Sequence, residues 1–364
     1  MGQIRYPRVE VDLGAITQNA RAITGLCAKW GISVAGVIKV SDGRVPVARA
    51  YAAGGCRQIA VSRAVHLRKI RKALPERETM LIRAPAGADV EEAARWADCV
   101  LHSDAAGLRA LDRAAAEAGT RPGVLLMLDV GDLREGVDSI DELTALARLV
   151  ERDLPHLRLR GVGCSLACLN GVLPDRENLG YLVAGAEAVE QTIGRPLELI
   201  SGGSSINLRL LVEGGGGMPS RINHLRIGGT IANPMNFRLN RGIRLPGTRE
   251  ETMRLRAQII EVCQKDSVPR NSTKNWAGQE VRREDKGRRL RAVAALGEQD
   301  VGGADQLIPL DEGVEIVGAS SDHLVLDVTD SPRQWHSGDT AAFALRYMAM
   351  LRTFTGSHVS VKYI

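Results

Sequence analysis

The chain has 364 residues, of which 44% are hydrophobic, 25% charged and only 3% aromatic. That apolar share excludes a disordered chain, and no run approaches the ~20 uncharged apolar residues a membrane-spanning helix needs. The net charge of +5 is mild, the basic residues are scattered and aromatics for base stacking are scarce, so nucleic acid is not an expected partner. The opening Met1–Pro7 carries no apolar segment of the kind a secretory signal needs. The six cysteines form no Cys-x-x-Cys, and Cys164 and Cys168, four apart, are followed by no second pair at zinc spacing. A cytoplasmic protein with reduced thiols and no metal is the expectation.

From about residue 30 short β-branched runs alternate with amphipathic stretches. The apolar runs are Ile32–Val40, Gln58–Val61, Thr79–Ile82, Cys99–His102, Gly123–Asp129, Leu157–Cys164, Leu197–Ser201 and Asn223–Ile227. Helical patterns lie between them at Arg63–Leu74, Val90–Trp96, Ala105–Gly119, Ile140–Leu154 and Asn178–Ile193. Alternation of this kind implies parallel βαβ units, and eight runs match the repeat of a (β/α)8 barrel. After about residue 245 the texture changes. Ala257–Val262, Leu290–Leu296, Val314–Val317, His323–Val328 and Ala341–Leu345 read as strands of a mainly antiparallel β domain, with Gln264–Arg289 a long polar loop. The predicted division is an α/β barrel over residues 12–245 and a β domain made of residues 1–11 and 246–364. The N-terminal Val9–Leu13 supplies a strand to the β domain.

Chemistry-bearing residues sit where the runs end. Lys39 follows Ala35-Gly36-Val37-Ile38; Asp129 and Arg134 follow the fifth run; Cys164 and Ser165 end the sixth. Ser201-Gly202-Gly203-Ser204-Ser205 and Arg226-Ile227-Gly228-Gly229-Thr230 follow the seventh and eighth. In a barrel these ends meet on one face, and the loops after strands 7 and 8 commonly hold phosphate. Lys39, flanked by Val37, Ile38 and Val40, is expected to be buried. A desolvated ammonium has a lowered pKa and suits a Schiff base with an aldehyde. A strand-end lysine reaching solvent has the same sequence. The two Gly/Ser turns favour the first reading and point to pyridoxal phosphate (PLP).

The segments Tyr6-Pro7, Val9-Glu10-Val11-Asp12-Leu13, Asn19 and Val34–Val40 resemble the start of fold-type III PLP enzymes of the alanine racemase superfamily. Asp129–Gly136, Ile200–Ser205, Ile222–Gly228, Ala294–Val301 and Gly318–Leu324 are more similar to its ornithine racemase group, so the resemblance covers nearly the whole chain. It implies a PLP-dependent racemase interconverting L- and D-amino acids, acting on a basic diamino acid such as ornithine or lysine. Lys39 would carry the cofactor and act as one base. Arg226 would face the pyridine nitrogen and keep it unprotonated, since two cations do not face each other cheaply. Arg134 would touch the phenolic oxygen. Ser204, Ser205, Gly228, Gly229, Thr230 and Tyr347 would surround the phosphate. The superfamily's head-to-tail homodimer would bring the partner's β domain to each site.

Each role has a plainer reading beside it. Arg134, next to Glu135, is also what a surface ion pair looks like; Ser204 and Ser205 fit a helix N-cap; Tyr347 fits a core position; Gly214–Gly217 reads as a flexible loop. The chain also departs from the superfamily. Ser41-Asp42 follows Lys39, placing a carboxylate beside the cofactor, and Trp276 stands where a phenylalanine is expected. Where alanine racemases supply a catalytic tyrosine the chain reads Gly297-Glu298-Gln299-Asp300. Candidates for the second base are His323, Glu298 and Cys168. Cys168, Ser321 and Asp322 are candidate substrate contacts, and Asp300 and Asp322 suit either a distal ammonium or structural turns. Two rivals are a PLP lyase or decarboxylase on the same fold and a PLP-binding homeostasis protein. Arg226 argues against the first, because such decarboxylases usually set a carboxylate at the pyridine nitrogen. The β domain argues against the second, whose members are single barrels.

Overall fold

The computed structural model describes residues 5–214, 217–270, 274, 280 and 284–364. The chain divides into two compact units, Leu13–Thr252 and Met1–Asp12 with Met253–Ile364. Strand β1 (Arg8–Val11) belongs to the second unit, and helix α1 (Leu13–Ala28) opens the first.

The first unit is a closed parallel barrel. Its strands and helices follow in order: β2 (Ser33–Val37), α2 (Val45–Ala53), β3 (Gln58–Val61), α3 (Leu67–Ala73), β4 (Glu78–Leu81), α4 (Asp89–Trp96), β5 (Cys99–His102), α5 (Ala105–Ala118) and β6 (Gly123–Met127). Then come α6 (Ile140–Asp153), β7 (Arg158–Gly163), α7 (Arg176–Ile193), β8 (Leu199–Ser201), α8 (Leu208–Val212), β9 (His224–Ile227), α9 (Gly229–Ala232) and α10 (Pro234–Arg241). All eight apolar runs are barrel strands. Lys39 is the exception within them: β2 ends at Val37, and Lys39 starts a 3-10 turn (Lys39–Ser41) where its side chain is exposed rather than buried.

Period-2 alternation sends Ala35, Val37, Ala60, Met80, Cys99, Leu101, Leu125, Met127 and Leu199 into the lumen as one apolar cluster. The same parity on β3, β4 and β8 carries Gln58, Glu78 and Ser201 inward, so the lumen has an apolar side and a polar side. Close backbone packing explains the first of the two glycines on β7. A Cβ at Gly161 would stand 1.9 Å from the Leu199 carbonyl oxygen on β8.

Helix α1 includes Gly14, Thr17, Thr24 and Gly25, weak helix formers. Its stability comes from packing: Ala15, Ile16, Asn19, Ala20, Ile23 and Cys27 are buried along one stripe. Buried Asn19 fastens it to the end of the unit, donating to the Ile231 (3.2 Å) and Arg249 (2.9 Å) carbonyls and accepting from the Arg249 amide (2.6 Å). Thr252 bonds the Ala232 carbonyl, and Arg238 grips Glu250 through two contacts of 2.7 and 2.9 Å. These bonds tie residues 246–252 to the barrel, so the boundary lies at Thr252 rather than at residue 245, and Asp12 falls with the β unit.

The second unit is built on β10 (Met253–Asp266), a strand of 14 residues. With it are β11 (Arg288–Ala294), α11 (Glu298–Val301), β12 (Leu307–Pro309), β13 (Glu315–Ala319), β14 (Leu324–Asp327), β15 (Thr340–Leu345), α12 (Tyr347–Thr355) and β16 (Ser360–Tyr363). The strand order β12-β15-β10-β11-β14-β13 is antiparallel throughout, while β1 pairs antiparallel with β10 and parallel with β16. The polar stretch from Gln264 is shorter as a loop than expected, because β10 and β11 pair as far as Asp266↔Arg288. Trp276, Gly215 and Gly216 lie outside the described residues. Helix α12 is a second departure from an all-β reading. Among the described residues no helix is long and apolar enough to cross a membrane.

Replacing Gly161 by Ala should lower the melting temperature, with a cost of about 1–3 kcal/mol as β7 and β8 are forced apart. Thermal unfolding followed by circular dichroism measures it, and an unchanged midpoint would mean that the β7–β8 contact is less tight than described.

Candidate active site

The C-terminal ends of the barrel strands carry nine of the residues singled out above: Lys39, Arg134, Cys168, Ser204, Ser205, Arg226, Gly228, Gly229 and Thr230. The backbone there is distinctive. Asp42, Leu133 and Ala167 are the non-glycine residues with left-handed φ (49°, 53° and 54°) among those described, and all three lie in loops at this end. Such conformations cost roughly 1–3 kcal/mol each and persist only where surrounding contacts impose them.

Asp132 is what imposes two of them. It is buried between the loops that follow β6 and β7, and its carboxylate accepts from the amides of Cys168 and Leu169 (3.0 Å each), Asn170 (3.3 Å) and Val172 (3.4 Å). Burial alone would raise its pKa, but the amides of Leu169, Cys168, Val172 and Asn170 hold the carboxyl below its ordinary value. Asp129 shapes the same loop by accepting from the Gly131 (2.8 Å) and Leu133 (3.2 Å) amides. The consequence is a fixed place for Arg134. It ion-pairs with Glu135 and donates to Ser165 Oγ at 3.0 Å. Ser165 donates in turn to Glu135 at 2.7 Å. The ion pair expected of Arg134 is thus present, at the C-terminal end of the barrel.

Arg226 is the buried cation of the site. Its guanidinium donates to Ser201 Oγ, to the Cys164 carbonyl at 2.7 Å and toward Ser165 Oγ at 3.4 Å. Among the described residues no carboxylate forms an ion pair with it. Burial pulls its pKa below the ordinary arginine value, and Arg134 acts in the same direction. Ser165 thus touches both arginines. Burial also pushes the Cys164 thiol up to about 12, while Cys168 is exposed.

The two glycine turns are held open. Gly203 has φ +109°, and Asn207 Nδ2 donates to the Gly202 (2.8 Å) and Ser204 (3.3 Å) carbonyls. Buried Tyr51 donates to the Gly228 carbonyl at 2.9 Å. A side chain at Gly36 would strike the Tyr51 ring at 2.6 Å, and one at Gly228 would meet the Val37 carbonyl at 2.8 Å. The amides of Ser204, Gly229 and Thr230 donate to no described residue, and neither Ser204 nor Ser205 makes a side-chain cap bond at the turn that starts there. Lys39 Nζ likewise has no partner among the described residues. Asp42, expected beside the cofactor, instead meets the His66 ring at 3.3 Å, and its carbonyl accepts from Lys69 at 3.3 Å.

A free primary amine, a buried guanidinium without a counter-carboxylate and two glycine turns with unused amides suit an aldehyde on a nitrogen heterocycle that carries a phosphate. The donor set fits PLP.

The remaining candidates lie in the β unit. A Cβ at Gly297 would stand 1.9 Å from the Ser321 carbonyl oxygen, so the start of α11 presses on the β13–β14 turn. The Glu298 amide donates to the Ser320 carbonyl (2.9 Å), and Gln299 bonds the Asp322 carboxylate. His323 closes that turn through its amide to Ser320 Oγ at 3.2 Å, with its ring exposed. Glu298, Ser321, Asp322 and His323 are thereby gathered on one spot. Asp300 is a structural residue, since its carboxylate accepts the Gly297 amide at 3.0 Å. Tyr347 is the first residue of α12. The sequence offered no reason to single out Asp132, Glu135, Tyr51 or His224, whose roles arise from contacts across strands.

A phosphate-cofactor barrel of this form with an appended β unit defines an amino-acid-processing PLP enzyme. Residues 11–232 match the family model described as alanine racemase, N-terminal domain. The chain is 31% identical over 355 residues to an ornithine racemase of Acetoanaerobium sticklandii (97% of this chain, 98% of the relative). It is 33% identical over 359 residues to a lysine racemase of Thermotoga maritima (98% of each). Among solved structures an alanine racemase from Streptomyces lavendulae superposes with a TM-score of 0.76 at 19% identity, covering 100% of this chain and 98% of that one. A D-threonine aldolase from Filomicrobium marinum superposes with a TM-score of 0.72 at 16% identity, covering 99% and 92%. The chain belongs to the alanine racemase family, and with it to the PLP-dependent racemases.

One pH effect follows from this site. Burial, with Arg226, Arg160 and Arg57 nearby, takes His224 down to about 3 from an ordinary 6.5. The unfolded chain binds a proton there that the native state refuses, so stability is full above pH 6.5 and falls as pH drops toward 3. Chemical denaturation across that window should show a smaller loss in His224→Gln than in the native chain; equal slopes would rule out a neutral buried imidazole.

Proposed function

We propose that this protein racemises a basic diamino acid, ornithine or lysine, with PLP. The observation that carries the reading is Arg226, a buried cation without a carboxylate partner, on a chain about one-third identical over nearly its full length to an ornithine and a lysine racemase. The fold alone does not choose the reaction, because an aldolase shares it.

Lys39 Nζ would hold the cofactor through its aldehyde, Ser204, Ser205, Gly228, Gly229 and Thr230 would hold its phosphate, and Tyr347 is assigned to the same phosphate. Arg134 would face the phenolic oxygen. Arg226 would donate to the ring nitrogen and keep a proton off it. When bound, the cofactor would supply an electron sink for the charge left at Cα. Lys39 Nζ, released when the substrate's amine takes its place, would take the Cα proton from one face of the substrate, and a second group would return a proton to the other face. We assign that second role to His323, whose exposed imidazole can both take and give a proton, with Glu298 beside it. Cys168, Ser321 and Asp322 line the substrate, Asp322 offering its carboxylate to the distal ammonium. We further propose a cytoplasmic, head-to-tail homodimer in which His323 and Glu298 reach the barrel site of a second copy. The exposed His323 ring supports that arrangement.

Lys39→Ala should lose the visible absorbance of bound PLP together with racemisation; retention of the band would remove Lys39 from its role. Incubation with L-ornithine, L-lysine, L-alanine and L-arginine in D2O, followed by chiral analysis, tests the reaction. Deuterium at Cα with inversion is expected for the two diamino acids above all, and a panel in which nothing exchanges or inverts would overturn the proposal. His323→Gln should lower kcat by about 100–10,000-fold, the usual weight of a general acid–base group. An equal rate in that variant, with a loss in Glu298→Gln, would move the second base to Glu298.

A further inference from the structure

The polar side of the barrel lumen is one unbroken hydrogen-bonded chain. Arg226 meets Ser201 Oγ, which lies 2.9 Å from His224 Nδ1. His224 Nε2 lies 2.9 Å from Gln58 Oε1, and Gln58 Nε2 donates to Glu78 Oε2 at 2.7 Å. Glu78 and Glu198 together hold Arg160, through contacts of 3.2 and 2.9 Å. Arg226 and Ser201 stand toward the C-terminal ends of their strands. Gln58 and Glu78 are the first residues of β3 and β4, at the opposite end of the lumen.

The proton count fixes a direction. A guanidinium only donates, so Ser201 Oγ accepts from Arg226; a carboxylate only accepts, so Gln58 Nε2 donates to Glu78 and Gln58 Oε1 takes the hydrogen of His224 Nε2, which leaves Nδ1 of the neutral ring to accept the Ser201 O–H. That nitrogen is therefore bare and Nε2 carries the hydrogen, which goes to the Gln58 carbonyl oxygen. The Gln58 amide then donates to Glu78. Burial works to raise Glu78, but Gln58 and Arg160 hold its carboxyl below the ordinary value, so the chain ends on an anion. Every link donates the same way, and links so aligned polarise one another.

We propose that Ser201, His224 and Gln58 form a one-way relay coupling Arg226 to the Glu78 carboxylate, so that the site cation has its counter-charge across the lumen and none beside it. His224 is a positioning residue: it acts on Arg226 through Ser201. The relay holds Arg226 as a full cation and leaves its remaining N–H groups for the ring nitrogen. This last step rests on the reading of Arg226 given above; the relay itself does not.

Histidine-selective 15N NMR of the cofactor-free protein, assigned by the signal lost in His224→Gln, reads the tautomer. One bare and one protonated nitrogen between pH 5 and pH 8, with Nε2 protonated, is expected; a doubly protonated ring or the Nδ1–H tautomer would overturn the relay. Glu78→Gln keeps the shape and removes the charge, and Arg160 keeps Glu198, so the variant should fold. In it the absorption maximum of bound PLP should shift. Keto-acid release relative to racemisation should rise by about tenfold, the scale on which outer hydrogen-bond partners of metal-site ligands act. An unchanged spectrum and partition in folded Glu78→Gln would overturn the coupling. If Arg226→Lys also changes neither, the reading of Arg226 fails while the tautomer measurement still judges the relay.

Discussion

A guanidinium buried without a carboxylate at its side is the constraint around which the barrel is arranged. Taking a charge out of water costs several kcal/mol even after relaxation, so every neighbour of Arg226 has to be a well-aimed acceptor. Ser201, the Cys164 carbonyl and Ser165 meet that need from β8 and the end of β7. A carboxylate in direct contact would satisfy Arg226 completely and leave it with nothing to offer a ligand. Hydroxyls and a carbonyl hold it without neutralising it. The cation thereby keeps its charge available to a further acceptor, the role proposed for it toward the cofactor's ring nitrogen.

The same division of labour runs through the rest of the mouth. Strained residues and unpartnered amides gather where the strands end, while glycines in the strands let the walls close. Gly36 makes room for Tyr51, Tyr51 steadies the Gly228 carbonyl, and the Gly229 and Thr230 amides are left without an acceptor among the described residues. The stability that the apolar side of the lumen supplies is what permits such strain on the rim.

Much of this was legible in the sequence, and the reasons differ by element. All eight barrel strands were marked by continuous β-branched runs, since a strand covered on both faces is apolar throughout. The turns at Gly202-Gly203 and Gly228-Gly229 were visible because glycine marks backbone that side chains would block. Helix α1 has no such mark, since its weak helix formers are outweighed by a buried stripe and by the bonds of Asn19 to the Ile231 and Arg249 backbone. Lys39 was placed in the wall of the barrel, although a 3-10 turn lifts it clear after Val37. His224 escaped notice because its meaning lies in a serine on one neighbouring strand and a glutamine across the lumen, which no local pattern reports. Asp132 is similar: four amides from another loop give it its role.

Asp132 also has an evolutionary consequence. By accepting four amides from the loop after β7 while standing in the loop after β6, it makes those two segments one mechanical part. Arg134 and Cys168, proposed above to meet cofactor and substrate, are mounted on that part. A lineage exploring new substrates by altering residues 166–172 therefore disturbs its grip on the cofactor as well. Loops that vary independently in many barrels are here bound to drift together, whereas on the roles proposed above Glu298 and His323, both bonded to Ser320 in the β unit, can change without moving Arg134.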